Sequence, residues 1–473
     1  MTAQARGEGE VLNVLNAGGA LMPRPRTPNT ALAALVSRTG WSYEALARAV
    51  NRVGAETGLD LRYDRTSVAH WLTGSRPRPP VPGLIAEAAA RRLGRPVALA
   101  ETGMGGSGRP FGDGALDWRG GTVTALAELG SADMDISRRR MLRGIVYSVA
   151  AAAAVPAWEE IADRAERTAA GTGPRVGEGE VEAVATMAEA FSTIDDRFGG
   201  GHARSAVAAY IANDLTGWLA AEAVPATRRA LHAAAADLVY LAGFMAWDDE
   251  AHGLAERYYL QALRLAAEAE DPLTYATVLR GMSIQAGDLG HRTEALHLVQ
   301  AAASAAGTAA PPRMRAFLLG QEAVAHAAVG DRRSALNSFG RAERHLEAAT
   351  SKVETFGSYH HASLAYQEAH LRAHLGDLDG AVRAMRTSNR RRPAAERRSR
   401  AISTAQLAEI QYRAGHLEAA CDSWDAFLDD YPHLAAGRAD AAARRIRGAA
   451  RRHHGNARTR QVAARLSEAS ALR

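Results

Sequence analysis

Apolar residues recur at helical spacing from residue 30 onward. Leu32, Leu35 and Val36 fall on one face of a helix over about residues 30–39, and Gly40 closes it. Ser42 stands as the N-cap of a second helix, whose inner face is Leu46, Val50 and Val53. Trp41 and Leu46 have the spacing of a hydrophobic staple at its entry. After an interval over residues 54–63, Asp64 is the next N-cap, for a short helix stopped at Gly74. Val68, Trp71 and Leu72, at i, i+3 and i+4, must face inward. Thr66 and His70 then point away from the core, with Arg65 and Ser67 on the flanks. Pro82 opens a fourth helix that buries Leu84, Ile85, Ala88, Ala89 and Leu93 and ends at Gly94.

Further along, the pattern becomes periodic on a larger scale. A small residue followed four positions later by a large one recurs at Ala255/Tyr259, Ala295/Val299, Ala335/Phe339, Ala381/Met385 and Ala420/Trp424, with spacings of 40, 40, 46 and 39 residues. Twelve positions before each small residue stands another: Gly243, Ser283, Ala323, Ala369 and Ala408. A Gly-polar turn precedes four of the second helices, at Gly290, Gly330, Gly376 and Gly415. Two antiparallel helices cross closely only where side chains are small, and a bulky residue one turn on fills the gap to the next pair.

Composition agrees with an all-α chain. Aromatic residues are only 6% of 473 residues and hydrophobic residues 47%, so small side chains must make much of the core. One cysteine, Cys421, excludes an intramolecular disulfide framework and any multi-cysteine metal site. The net charge of +5 is unevenly spread. Residues 23–96 hold twelve arginines against five acids, residues 438–473 ten against two, and residues 390–400 six against one, which leaves −15 for the remainder. A basic head and tail on an acidic body suggest nucleic acid at one end.

The third helix of the head has what base reading requires: an apolar side that holds it on the scaffold, and short polar groups free to reach base edges. Arg76 and Arg78 follow between Pro77, Pro79 and Pro80, a stiffened loop suited to holding guanidinium groups against phosphates. Residues 42–47 (Ser-Tyr-Glu-Ala-Leu-Ala) and 66–74 (Thr-Ser-Val-Ala-His-Trp-Leu-Thr-Gly) resemble the helix-turn-helix of Cro/phage-repressor-type (xenobiotic-response-element) regulators. The resemblance covers about residues 28–95. It implies that Thr66, Ser67 and His70 read bases while Arg65, Arg76 and Arg78 contact the backbone of a double-stranded operator. The ten residues between the second and third helices depart from that family's tight turn of about three to four residues.

The body is similar to tetratricopeptide repeats, over about residues 180–435, although its units run near 40 residues rather than 34. The resemblance implies an α-solenoid whose concave face takes up a peptide or protein, or which forms a homodimer. On the helices that would line it, Tyr275, Arg280, His326, Tyr366, His370 and Gln411 are candidate contacts. The expected organisation is a disordered extension over residues 1–27, a helix-turn-helix unit over 28–100, a Gly-rich linker over 101–135, an apolar linker helix over 136–170, the array over 180–435 and a basic helix or tail over 436–473.

No constellation favours catalysis. The adjacent pairs His360-His361 and His453-His454 point to different helix faces and suit metal poorly, and Asp195-Asp196, Asp248-Asp249 and Asp429-Asp430 read as solvated or capping residues. No cofactor or metal is expected. Residues 137–157 resemble a twin-arginine export signal but sit deep inside the chain, and no run reaches the ~20 apolar residues of a membrane span, so a cytoplasmic protein is expected. Together the resemblances imply an actinobacterial-type transcription regulator, a repressor of development or secondary metabolism, with a tetratricopeptide-like array. The alternative is an interaction scaffold that binds no specific DNA.

Overall fold

In the computed structural model, residues 27–56, 59–104, 121–134, 147–153, 155, 158, 176–308, 310–349 and 359–472 are described. The expected N-terminal extension, residues 105–120 of the Gly-rich linker and most of the segment that carries the twin-arginine resemblance and the linker helix lie outside them, whereas residues 122–134, expected as linker, form a helix that buries Leu126 and Leu129. Every element among the described residues is helical, and the chain is an all-α solenoid of successive helical pairs behind an N-terminal bundle.

The bundle comprises α1 (Thr30–Thr39), α2 (Tyr43–Glu56), α3 (Arg65–Leu72) and α4 (Val81–Leu93), followed by a 3-10 turn at Leu99–Thr102. Leu32, Leu46, Val50, Val68, Leu84 and Ile85 are its fully buried centre. Asn29 fastens the two ends of the bundle. Its side chain accepts from the Leu32 N–H at 2.9 Å and donates to the Thr102 carbonyl at 2.9 Å, while its own N–H donates to the Leu72 carbonyl at 2.8 Å. The interval before α3 is anchored too: the Asn51 amide donates to the Tyr63 carbonyl at 2.8 Å and accepts from its N–H at 3.0 Å. Leu61 packs so close to Gly54 that a Cβ there would lie 2.5 Å from its methyl group.

After α5 (Thr122–Met134) and the short α6 (Val149–Ala153), α7 (Glu178–Phe198) leads into α8 (Gly200–Tyr210), which runs through a π turn at Ile211–Leu215 into α9 (Thr216–Ala220). Five hairpins follow. They are α10 (Pro225–Asp248) with α11 (His252–Glu268), α12 (Pro272–Asp288) with α13 (Arg292–Ala306), and α14 (Pro312–Ala328) with α15 (Arg332–Glu347). Then come α16 (His361–His374) with α17 (Leu378–Arg391), and α18 (Arg397–Arg413) with α19 (Leu417–Asp430). These are the five units marked by the small-residue spacing, and the crossings use the expected positions. A Cβ on Gly243 would lie 2.7 Å from the Tyr259 ring, and the Ser283 hydroxyl donates to the Ala295 carbonyl at 2.7 Å. The pairs Ala323/Ala335, Ala369/Ala381 and Ala408/Ala420 are fully buried. Ala255 and Trp424 are buried and Phe339 is partly buried against the same cores. Gly290, Gly330, Gly376 and Gly415 turn the chain with φ between +83° and +88°, and Asp331 and Asp377 cap the helices that follow two of these turns.

The basic C-terminal segment is a sixth pair, α20 (Gly437–Arg452) with α21 (Ala457–Ala471), rather than a single helix or tail. Val462 and Leu466 bury against the fifth hairpin's core. Helix α10 is long and apolar enough to cross a membrane by length and composition, contrary to the expectation that no segment would be, and 72% of its most apolar window is buried inside the protein.

The ends of the array meet. The Arg398 guanidinium, on α18, lies 3.0 Å from Asp195, 3.0 Å from Asp196 and 3.8 Å from Asp248, and 4.8 Å above the Phe244 ring. The Ala435 N–H donates to the Phe198 carbonyl at 2.7 Å and the Gly201 N–H to the Ala435 carbonyl at 2.8 Å. Asp195 and Asp248 are therefore buried ion-pair partners, not the solvated or capping residues expected. The inner face closes on a cavity of about 240 Å³, bounded by Trp247, His252, Asp288, Gln406, Arg438 and Arg445.

Candidate nucleic-acid interface

Helix α3 is positioned by both its ends and its back. Asp64 caps it, accepting from the Ser67 N–H at 2.8 Å and from the Ser67 hydroxyl at 2.8 Å, and these bonds hold its carboxyl below the usual carboxylate range. Val68 and Trp71 are buried, and Trp71 meets Tyr63 edge-on at 4.9 Å between ring centres. Arg65, Thr66 and His70 are left exposed. Ser67, the third expected base reader, is only half exposed and commits its hydroxyl to the cap, so its role here is to fix the helix start.

The loop after α3 folds back on it: the Ser75 N–H donates to the His70 carbonyl at 2.9 Å. Thr66, Ser67, His70, Arg76 and Pro77 thereby line one open concavity of about 420 Å³. Arg65 and Arg78 are exposed beside it. Some arginines of the bundle are held by internal partners and others are not. Arg38 and Arg95 grip Glu101 at 2.9 and 2.8 Å, Arg91 binds Glu56 and Glu87 at 2.8 and 2.6 Å, and Arg92 donates to the Thr39 carbonyl at 3.1 Å. Arg65, Arg76 and Arg78 form no ion pair among the described residues, nor does the exposed Arg52 of α2. Unpaired guanidinium groups around a polar concavity can take phosphate oxygens without first breaking an internal bond.

A family model described as the SP15 N-terminal domain matches residues 32–105. No curated protein matches the chain. The matched stretch is nearly coextensive with the bundle over residues 27–104, in which Met104 is the last buried side chain.

The bundle is joined to the array by a contact that the sequence does not announce. Helix α6 lies between α4 and α13. The Val149 N–H donates to Glu87 of the bundle at 3.1 Å, and the adjacent Ser148 N–H donates to Glu256 of the array at 2.7 Å. Tyr147 stacks on His291 at 5.6 Å, and His291 faces Glu56 at 3.7 Å. Burial raises both Glu87 and Glu256 above the usual carboxyl range, Glu256 well above it. Buried glutamates on two inward helix faces were the available signal, but spacing alone pairs neither with a linker 60 to 110 residues away.

Three of the six candidate groove residues are not on an open surface. Tyr275 is fully buried. Arg280 donates to the Phe317 carbonyl at 2.9 Å and lies 3.6 Å above that ring, and Gln411 is buried against the Ser423 hydroxyl. Each solenoid helix packs against its partner and against the next hairpin, which covers these positions. His326, Tyr366 and His370 are half-buried, and burial lowers the His370 imidazole to about 4. Among the described residues no group of three or more His, Cys, Asp or Glu is arranged to hold a metal. Cys421 is buried, its thiol pushed up to about 11.

Proposed function

We propose that this protein is a sequence-specific, double-stranded-DNA-binding transcription regulator, in which the bundle is a helix-turn-helix head and the solenoid a tetratricopeptide-like regulatory module. The observation that carries the reading is the concavity beside α3: outward Thr66 and His70 next to Arg76, with Arg65 and Arg78 alongside and unpaired. In the proposal Thr66 and His70 contact base edges in the major groove while the three arginines contact phosphates, with Ser67 fixing the helix start. Two heads on a two-half-site operator require a homodimer, and operator binding places the protein in the cytoplasm. The array has no catalytic part in this scheme. It holds the head through α6 and carries a peptide or protein signal to it, and the target is repression of development or secondary metabolism.

Selection of bound duplexes from a random pool, followed by salt titration, tests the head. Affinity is expected to fall steeply between about 50 and 200 mM salt. A Thr66→Ala/His70→Ala variant should lose about 1–3 kcal/mol of discrimination per contacted base pair. Salt-insensitive binding, or an unaltered sequence preference in the variant, would favour a scaffold whose head binds no specific DNA.

A further inference from the structure

The sixth helical pair distributes its arginines in two directions. Arg438 turns inward, 4.0 Å above the Trp247 ring, and Arg458 and Arg465 bind Asp422, Asp425 and Asp429 of α19 at 2.5 to 3.3 Å. These three dock the pair on the array. Arg444, Arg445, Arg447, Arg451 and Arg452 are all exposed. Arg444 pairs with Glu250 at 2.6 Å and Arg445 stands 3.9 Å from Glu409, but Arg447, Arg451 and Arg452 form no ion pair among the described residues, Arg447 donating only to the Ser470 hydroxyl at 2.9 Å and Arg452 to that of Tyr412 at 3.2 Å. Arg444, Arg447 and Arg451, at i, i+3 and i+7, share one helix face about 10 Å long. The one acid of α20, Asp440, is occupied by the Tyr431 hydroxyl at 2.9 Å. A helix face kept soluble by charge mixes both signs, whereas this one presents a single sign.

The position of this ridge matters as much as its charge. Arg444 reaches Glu250 in the turn between α10 and α11, and Leu289, in the next turn, borders the same cavity as Arg438. The bundle meets these same turns: His291 faces Glu56, and Glu256, on the first turns of α11, holds the linker. Head and ridge therefore stand at one edge of the array. We propose that the outward arginines of α20 form a second, sequence-independent contact to the phosphate backbone of the duplex that the head reads. This rests on the DNA-binding reading above. A 10 Å ridge spans a length of duplex whose two strands together carry roughly six phosphate charges, and an extended polyanion of fixed geometry is the partner that a single-sign ridge beside a DNA-reading head fits.

Fluorescence anisotropy of the full chain on a long and a short duplex, across a salt series, tests it, with circular dichroism as the check on folding. Arg447→Gln/Arg451→Gln should flatten the slope of log affinity against log salt by about 1.8 on the long duplex, since each phosphate no longer neutralised removes about 0.9. It should leave the slope unchanged on a duplex no longer than the head's own site, and leave the ranking of sequences unchanged on both. Arg390→Gln/Arg391→Gln, which removes as much charge from the exposed end of α17, should leave both slopes alone. An unchanged slope in the ridge variant, or an equal flattening in the α17 variant, overturns the proposal. So does an equal drop in affinity for polyglutamate, which would mark the ridge as a site for acidic protein. Failure of the head reading is separate, since it would appear as no sequence preference in the unmodified chain.

Discussion

At α3, one side chain's hydrogen bonds decide what its neighbours can do. Asp64 binds both the N–H and the hydroxyl of Ser67, so the helix start is fixed without using Thr66 or His70. Asp64→Ala should therefore lower hydrogen-exchange protection across α3 and weaken operator binding, whereas Thr66→Ala should leave protection unchanged while altering base preference. Equal protection in the two variants would show that the cap does not hold the helix. The outward direction of Thr66 and His70 follows from the spacing of Val68, Trp71 and Leu72, which is why it was legible in the sequence. Periodicity reports where a side chain points, not whether its polar atom already has a partner, so it places Ser67 on the flank without showing that its hydroxyl is committed to the cap, and the resemblance alone groups it with the base readers. The same limit applies to Tyr275, Arg280 and Gln411: polar or aromatic atoms on a solenoid helix look available until the next hairpin covers them.

The hairpin was the most legible unit, because its crossing imposes a steric rule that leaves a mark twelve residues long. Gly243 shows how strict the rule is, with the Tyr259 ring occupying the space a Cβ would need. Gly243→Val should cost about 1–3 kcal/mol through overpacking. Gly217→Ala is the counterpart, at an exposed helical position with nothing within 4 Å of the added Cβ, and should stabilise by about 0.5–1 kcal/mol. Urea unfolding followed by helical circular dichroism measures both, and a Gly243→Val chain as stable as the parent would remove the small-residue explanation of the repeat. The sixth pair is hidden in the sequence because its arginine content makes α20 read as a solvated helix. Its inner face is nevertheless apolar, with Ala439, Ala443, Ile446 and Ala449 buried.

Closure of the array and attachment of the head depend on residues far apart in sequence, which is why neither was legible. Arg398 sits in an arginine-rich run that reads as solvated charge, yet it is buried among three aspartates from two other helices. The junction at α6 has the same character and carries a pH dependence of its own. Glu87 is faced by Arg91 and the Val149 N–H. Glu256 is faced by the Ser148 N–H, Arg257, Arg91 and Glu87, and Tyr147 lies against Glu256, Glu294 and Glu87. A carboxyl held above its unfolded value contributes its stabilisation fully below about 4.5 and loses it as pH rises through the raised value. His252 and His370, lowered by burial to about 4, contribute fully above 6.5 and lose it as pH falls toward 4. Acidification should therefore tighten the head's attachment, while in the array His252 and His370 lose their contribution and Asp195 and Asp237, raised by burial to about 7, regain theirs. Exchange protection at the Ser148 and Val149 amides, corrected for intrinsic rate, should fall as pH rises above about 4.5. Glu256→Gln, which keeps an acceptor for Ser148 but cannot ionise, should reduce that fall. Protection that rises with pH, or a Gln variant with the parent's full slope, would separate the junction from carboxyl ionisation.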